Sequence, residues 1–268
     1  MPIKFDGRKI RDEILEQLKG GAEKVEFKPT LAVVWIGDDP VSEKYIRIKE
    51  KIARDLGVNF QLIKLPRLTK YSDILQNVRV FGKSEVDGVM IQMPLPEWIN
   101  AVERKKIIRE IPAKKDIDGL RFCAGLPSNF QPPVVLAILE AIKKSKVDLK
   151  KSRVAIIGQG FLVGAPLGKI LKNQVKELLL ANIHTADISE ITRRADVVIS
   201  AAGKPGLITS KIIKSGAVLI DAGTTEVGGK IAGDIDPRAF EKASFYTPVP
   251  GGIGPVTVAM LFQNLIRK

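Results

Sequence analysis

The chain predicts a two-domain α/β protein: an N-terminal α/β domain joined to a second α/β domain of doubly wound type, each built on a parallel sheet. Three observations carry this. Apolar strand-like runs alternate with amphipathic helical segments along the whole length. A lysine-rich stretch at 143–151 separates two such series. The second series restarts at Arg153-Val-Ala-Ile-Ile-Gly158, a strand running straight into a glycine turn. With 268 residues the chain has enough bulk for one large or two modest domains, each with its own core. The expected division is 1–140 with a closing helix at 255–268, and 141–254 between them.

The elements follow in order. A first helix begins near Asp6, places Ile10, Ile14, Leu15 and Leu18 on one face, and stops at Gly20-Gly21. Residues 31–36 form a buried strand that Gly37-Asp-Asp-Pro40 breaks. Ser42 then caps a helix running to Leu56 and ending at Gly57. Strand 58–65, helix 72–81 and strand 86–92 follow, with Pro94 and Pro96 beyond. Residues 99–110 are helical, Asp116-Ile-Asp-Gly119 is a turn, and 133–145 is a helix. The second series adds strands at 153–158, 177–182, 196–200 and 217–221. Pro255 opens the closing helix as its first residue.

Composition excludes several classes. Apolar residues make up 45% and charged residues 27%, as in ordinary globular proteins. No apolar run approaches the roughly 18 residues of a membrane span, and the N-terminus lacks a signal peptide's apolar stretch. The single cysteine, Cys123, excludes an internal disulfide and points to a reducing cytoplasm. With one histidine, His184, a His-rich metal site is not expected. The net charge of +13 invites a nucleic-acid reading, but lysines and arginines are interleaved with acids, and the densest stretch holds no aromatic for base stacking. Solvated helix faces explain it better, with attraction of small polyanions as the functional alternative.

Parallel α/β sheets bind ligands beyond the carboxyl ends of their strands. In the second series that rule selects the glycine turn Gly158-Gln159-Gly160-Phe-Leu-Val-Gly164, where a strand meets a helix. The first glycine permits the tight turn, the second the close approach of a pyrophosphate, and the helix N-terminus supplies dipole and amide donors. A glycine turn that only packs a helix on a sheet has equal weight until the later strand ends, Ala201-Ala202-Gly203 and Asp221-Ala222-Gly223, are added. Together they point to a bound dinucleotide. At the end of the next strand, Ala181-Asn-Ile-His-Thr185 offers no carboxylate, which favours NADP, and no arginine, which would confirm it. Asp187 reads as the cap of the following helix.

In the first series, Tyr45 and Lys49 stand four apart on one helix face. Gln92 ends a buried strand with an amide that both donates and accepts. Asp116 and Asp118 place two carboxylates at one turn, as turn chemistry or as a grip on a ring with adjacent N–H donors. Finally, Thr247-Pro-Val-Pro250-Gly251-Gly252-Ile-Gly-Pro255-Val-Thr257 packs three prolines and three glycines into eleven residues. That composition suits neither helix interior nor central strand. A stiff ligand wall and a structural turn are the two readings, the first favoured about two to one.

Taken in order, Gly37-Asp-Asp-Pro-Val-Ser42-x-x-Tyr45-x-x-x-Lys49, Ile91-Gln-Met-Pro-Leu95, Lys115-Asp-Ile-Asp-Gly119, Gly158-x-x-x-x-Val-Gly164-x-Pro166 and Thr247-Pro-Val-Pro-Gly-Gly-Ile-Gly-Pro255 closely resemble the bifunctional methylenetetrahydrofolate dehydrogenase/cyclohydrolase family. The resemblance spans nearly the whole chain. It implies a folate-binding catalytic domain and a Rossmann-type dinucleotide domain with an interdomain cleft. It also implies a homodimer, and a final helix that returns to the first domain. Such enzymes oxidise 5,10-methylenetetrahydrofolate with NADP and hydrolyse the methenyl product to 10-formyltetrahydrofolate. By that resemblance Lys49 is base and proton carrier, Gln92 tunes Lys49, Tyr45 packs against the folate and Asp118 anchors the pterin, while Asp116 stays structural. Pro250, Gly251 and Gly252 border nicotinamide and folate. Gly158, Gln159, Gly160, Gly164, Thr185, Ala202 and Gly223 are the cofactor-binding candidates, with Thr185 where a phosphate-binding serine is common.

The chain departs from the family pattern twice. Gly158-Gln159-Gly160 stands where Gly-Arg-Ser is usual, which keeps NAD or dual use open beside NADP. Phe130-Gln-Pro-Pro-Val-Val135 stands where Pro-Cys-Thr-Pro-x-Gly is common. Two alternatives compete with the family reading: a two-domain shikimate- or amino-acid-type dehydrogenase, which leaves Gln92 and the 247–257 loop unexplained, and a non-catalytic nucleotide- or folate-binding protein, which leaves Lys49, Gln92 and Asp118 unexplained.

Overall fold

The computed structural model of the chain describes residues 1–22 and 28–266. From the N-terminus, β1 (Ile3–Lys4) precedes α1 (Gly7–Ala22), β2 (Thr30–Ile36), α2 (Pro40–Asp55), β3 (Asn59–Leu65), α3 (Tyr71–Lys83), β4 (Gly88–Ile91), α4 (Ala101–Arg109) and a single-turn α5 (Leu120–Cys123). The second series comprises α6 (Pro133–Ser145), β5 (Arg153–Ile157), α7 (Gly164–Leu171), β6 (Glu177–Ala181), α8 (Ser189–Thr192), β7 (Val197–Ser200), β8 (Val218–Asp221), β9 (Thr225–Val227), β10 (Lys230–Ala232), β11 (Phe245–Tyr246) and α9 (Ile253–Ile266).

The chain forms two compact units. One holds Glu13–Pro133 and the residues from Val258 onward; the other holds Met1–Asp12 and Val134–Thr257. This differs from a division at 1–140 and 141–254, most plainly at the N-terminus. There β1 pairs in parallel with β11, Ile3 opposite Phe245 and Lys4 opposite Tyr246, and the Phe5 and Phe245 rings lie 6.0 Å apart. A two-residue strand carries no hydrophobic period, so sequence patterning has nothing to detect.

In the first unit β3, β2 and β4 form a parallel sheet with β2 in the centre. Its register sets Val33 beside Leu62 on one neighbour and Met90 on the other. From Leu31 to Ile36 β2 is buried at every residue, which is why it reads as an unbroken apolar run; both faces are covered. The core beneath joins Leu18, Leu31, Val33, Met90 and Ile117 to Val258, Leu261, Phe262 and Leu265 of α9. Those four α9 residues recur at three- and four-residue spacing, one helical face. Burying Phe262 completely contributes on the order of 3 kcal/mol. The second unit builds a six-stranded parallel sheet, ordered β1-β11-β8-β7-β5-β6, beside a β9–β10 antiparallel hairpin. Its core gathers Ile157, Val198, Ile208, Leu219 and Ile235.

Three local expectations are corrected. The cap of α2 is Asp39, whose carboxylate accepts from the Ser42 amide at 2.7 Å; Ser42 is buried two residues inside the helix behind Pro40. Aspartate outcompetes the serine because it precedes a proline at the first helical position, where no amide is required. Helix α1 runs through Gly20-Gly21 to Ala22; glycine weakens a helix end without forbidding it. The closing helix starts at Ile253, so Pro255 is its third residue, still within the first turn where amides have no helical acceptor. Residues 267–268 of the expected closing helix lie outside the described residues.

Candidate active site

The first unit brings Lys49, Gln92 and Asp118 together at the carboxyl edge of its sheet. Helix α2 turns its buried face inward through Ser42, Ile46, Ile52 and Ala53. Position 49 falls on that same stripe by helical spacing, so its amine is drawn into a half-buried setting. Gln92 follows the last residue of β4 and is 7% exposed. Lys49 Nζ donates to Gln92 Oε1 at 2.8 Å. Gln92 Nε2 donates in turn to the Met93 carbonyl at 2.6 Å, which fixes the amide so that its oxygen faces the lysine. Burial pushes the Lys49 amine down from its ordinary value, and the nearby Asp118 carboxylate partly opposes this. Burial pushes Asp118 up, and Lys49 opposes that. Tyr45, one turn before Lys49 on α2, is half-buried.

Asp116 and Asp118 part company. Asp116 is fully buried and accepts from the Leu120 amide at 3.0 Å, the Arg121 amide at 2.8 Å and the Ser128 hydroxyl at 3.2 Å. It is structural, as turn chemistry suggests. Asp118 is left to face Lys49 electrostatically. Gly119, with φ +65, follows it because a Cβ there would come within 2.5 Å of the Pro132 nitrogen.

In the second unit β5 delivers the glycine turn. Gly158 has φ +94, and a Cβ on it would meet the Ala201 carbonyl oxygen at 2.5 Å. Gly164 opens α7 so close to Gly158 that a Cβ would sit 1.8 Å from its oxygen. Gly160 differs: it is exposed, and a Cβ would meet nothing within 4 Å. Nothing in the protein demands glycine there, whereas the approach of a pyrophosphate to bare backbone does. The turn therefore fits a dinucleotide. Gln159 folds back, with Nε2 donating to the Ile156 carbonyl at 3.3 Å and the Gly158 carbonyl at 3.4 Å. At the end of β6, the Thr185 hydroxyl accepts from the Asn182 amide at 3.0 Å. The N-cap of α8 is Ile188, not Asp187; Asp187, one residue earlier, accepts from the Ser189 amide at 2.7 Å across a local turn.

A carboxylate that sequence reasoning passed over organises the other strand ends. Asp234, buried, accepts from the Ser200 hydroxyl and from the amides of Ala202, Gly203 and Lys204 at 2.7–3.2 Å. Asp221 accepts from the amides of Gly223, Asp234 and Ile235. The amides of Ala202 and Gly223 are thus already bound within the protein and are not free to donate to a cofactor. Gly223 is glycine because a Cβ would strike Asp234 at 2.2 Å. The only sequence signal for Asp234 is an aspartate in an apolar context, which carries no indication of its partners.

The Pro/Gly loop is anchored at both ends. Thr247 is fully buried, its hydroxyl accepting from the Asp221 amide at 2.8 Å. The Gly251 carbonyl accepts from the Gly7 amide at 3.0 Å. A Cβ on Gly7 would sit 1.8 Å from the Gly252 oxygen, and one on Gly252 would sit 2.5 Å from the Pro248 oxygen. Gly251, with φ +102, occupies the left-handed region. Backbone packing thus accounts for Gly251 and Gly252, so the structural-turn reading holds for them. Pro250 is exposed, and a Cβ on Gly254 would meet nothing within 4 Å.

Burial pushes Asp221 up from 3.8 to about 7, and Asp116 likewise to about 7. Between those values the folded protein holds protons that the unfolded chain has released, so stability falls as pH rises through this window. Asp221→Asn removes one such proton. Its melting temperature is therefore expected to decline less steeply than that of the parent between pH 4 and 7; parallel slopes would refute the assignment. Two surface grooves in the same unit, one lined by Leu139, Lys143 and Asn173 and one by Asp196, Lys214 and Gly216, include none of the candidate residues. Among the described residues no group of three or more His, Cys, Asp or Glu could hold a metal ion, and no helix is long and apolar enough to cross a membrane.

Comparison with known proteins gives two family matches that together span most of the chain. Residues 5–118 match the catalytic domain of tetrahydrofolate dehydrogenase/cyclohydrolase, and residues 132–268 its NAD(P)-binding domain. The bifunctional protein FolD of Hydrogenobaculum sp. is 37% identical over 98% of this chain and 97% of its own. Among solved structures, the bifunctional FolD methylenetetrahydrofolate dehydrogenase/cyclohydrolase of Campylobacter jejuni has TM-score 0.92 at 32% identity, covering 100% of this chain and 98% of that one. The Trypanosoma brucei N5,N10-methylenetetrahydrofolate dehydrogenase-cyclohydrolase, solved with NADP cofactor and inhibitor, has TM-score 0.90 at 30% identity, covering 98% and 96%.

Proposed function

We infer the activity from one premise: this chain belongs to the tetrahydrofolate dehydrogenase/cyclohydrolase family. It is a bifunctional one-carbon enzyme that oxidises 5,10-methylenetetrahydrofolate to 5,10-methenyltetrahydrofolate with NADP and hydrolyses that product to 10-formyltetrahydrofolate. The observation that carries this reading is the Lys49–Gln92 hydrogen bond of 2.8 Å beside the Asp118 charge at the carboxyl edge of a parallel sheet. The shikimate-type and non-catalytic readings are not favoured, because the family match runs through both domains.

Oxidation needs little acid–base work. Loss of hydride from the methylene bridge leaves a cation delocalised over two nitrogens, so alignment suffices and no histidine is required. NADP, when bound, supplies the hydride acceptor. Gly158, Gly160 and Gly164 would hold its pyrophosphate at the start of α7. Gln159 is neutral and folded back on its own strand end, and Thr185 offers a hydroxyl but no charge. No carboxylate at the end of β6 repels a 2′-phosphate, so NADP is accepted, and NAD binds the same turn.

Hydrolysis is where the chain's own groups act. Water adds to the methenyl carbon and loses a proton to Lys49 Nζ, leaving a neutral hydroxyl adduct; the adduct opens as the departing nitrogen takes that proton back and the hydroxyl releases its own proton to solvent, giving the formyl C=O. Burial lowers the amine's proton affinity, which favours the neutral form that can take up a proton. Gln92 Oε1 holds Nζ in place. Asp118 accepts from the pterin's N–H donors, and Tyr45 covers the ring. The reading further makes the protein a cytoplasmic homodimer acting on a small-molecule folate, with no nucleic acid or membrane as partner.

The test supplies methylenetetrahydrofolate with NADP or NAD and follows methenyl absorbance and its decay. Absorbance that rises with NADP and then decays faster than in buffer is expected. No rise with either nucleotide would remove the dehydrogenase assignment.

A further inference from the structure

Asp118 sits in a turn, yet its task in the proposed reaction requires a fixed carboxylate. What fixes it comes from a residue 146 positions away. Asn264, on α9, donates through the single nitrogen Nδ2 to two backbone carbonyls: Ile117 at 2.8 Å and Gln131 at 3.0 Å. Ile117 immediately precedes Asp118, and its side chain is fully buried in the core that α9 completes. Gln131 precedes Pro132, whose nitrogen lies so close to Gly119 that no Cβ fits between them. The amide therefore ties the backbone just before Asp118 to the strand of chain that packs against the residue just after it. Beneath the same turn the Asp116 carboxylate ties the Leu120 and Arg121 amides to Ser128. Two clasps, one from each side, leave Asp118 as the only carboxylate of the turn that carries no backbone contact of this kind.

We propose that Asn264 is a positioning residue for folate binding: it clasps the carbonyls of Ile117 and Gln131 and thereby sets where the Asp118 carboxylate stands. Asparagine suits the task because its amide nitrogen carries two donors in a fixed fork. Aspartate offers none, and serine offers one. The proposal deepens the folate-enzyme reading and rests on it.

The experiment is steady-state dehydrogenase kinetics on the full chain, comparing the parent, Asn264→Ala, Asp118→Asn and the double variant. Loss of the clasp is expected to raise the folate KM about tenfold, leaving the NADP KM unchanged and kcat within about twofold. Because Asn264 acts through Asp118, adding Asn264→Ala to Asp118→Asn should raise the folate KM no further. An unchanged folate KM in Asn264→Ala, or an equal rise in both backgrounds, overturns the proposal; a role confined to stability gives the former, with only the amount of active enzyme reduced. Should Asn264→Ala fail to fold, Asn264→Ser, which keeps one donor, carries the same comparison. Failure of the underlying reading is seen separately. In that case the parent turns over no methylenetetrahydrofolate, or Asp118→Asn leaves the folate KM untouched with Asn264 intact.

Discussion

Lys49→Met is expected to abolish hydrolysis of methenyltetrahydrofolate while sparing folate binding. Methionine keeps the length and apolar stem of lysine, so the half-buried face of α2 repacks little. What disappears is the amine whose proton affinity burial has lowered. Positioned acid–base groups contribute about 10²–10⁴-fold, so the decay of methenyl absorbance should slow by at least about a hundredfold. The folate KM in the oxidation direction should hold within a few-fold, because Asp118, Tyr45 and Gln92 remain. Lys49→Arg sharpens the point. Guanidinium stays charged throughout the accessible range, so this variant should lose hydrolysis as well. In the parent, the rate should rise with pH as the lysine's depressed value is crossed, and neither variant should show that rise. Hydrolysis at the parental rate in Lys49→Met would take the proton carrier's role away from this residue.

The second large effect separates two glycines of one motif. Gly164→Ala forces a Cβ to within 1.8 Å of the Gly158 carbonyl oxygen, a clash of backbone with backbone that no rotamer relieves. A cost of about 2–3 kcal/mol and a melting temperature several degrees lower are expected, together with loss of dinucleotide binding. Gly160→Ala meets nothing within 4 Å, so stability should change by no more than about 0.5 kcal/mol. Its methyl nevertheless projects where a pyrophosphate would approach, and the KM for NADP should rise about tenfold or more. Thermal melts and nucleotide kinetics on the two variants check this together. A Gly160→Ala enzyme with parental NADP kinetics would show that the glycine serves no ligand.

Much of the site was legible along the chain, for reasons of local geometry. Tyr45 and Lys49 share a helix face because helices repeat every 3.6 residues. Gln92 and Gly158 stand out in the sequence because parallel strands end where ligands bind. Of the two aspartates at 116 and 118, the choice came from the family resemblance, and the structure supplies a physical ground for it. Asp116 is consumed by two amides and a hydroxyl, and Asp118 faces an amine. Asp234 and Asn264 were not legible. Neither lies in a motif or a periodic stripe, and their partners are 30–34 and 133–147 residues distant. The Pro/Gly loop was half legible. Its stiffness shows in its composition, but that Gly252 serves a close approach to Gly7 shows only once β1 is seen to pair with β11.

The sequence by itself determined the alternation of strands and helices, the two-domain organisation, and the amine, amide and carboxylate that carry the chemistry. Each of these follows from short-range sterics, side-chain period or residue type, all of which are written within a few residues of one another. The tertiary structure decided which polar groups meet: Lys49 with Gln92 across 43 residues, Asp234 with the amides of Ala202, Gly203 and Lys204, and Asn264 with Ile117. It also decided that Asp39 caps α2 and that the first twelve residues join the dinucleotide unit. Such pairings are set by how buried faces pack and by the need of every buried polar group for a partner. That requirement acts on the folded chain as a whole and leaves no periodic trace along it.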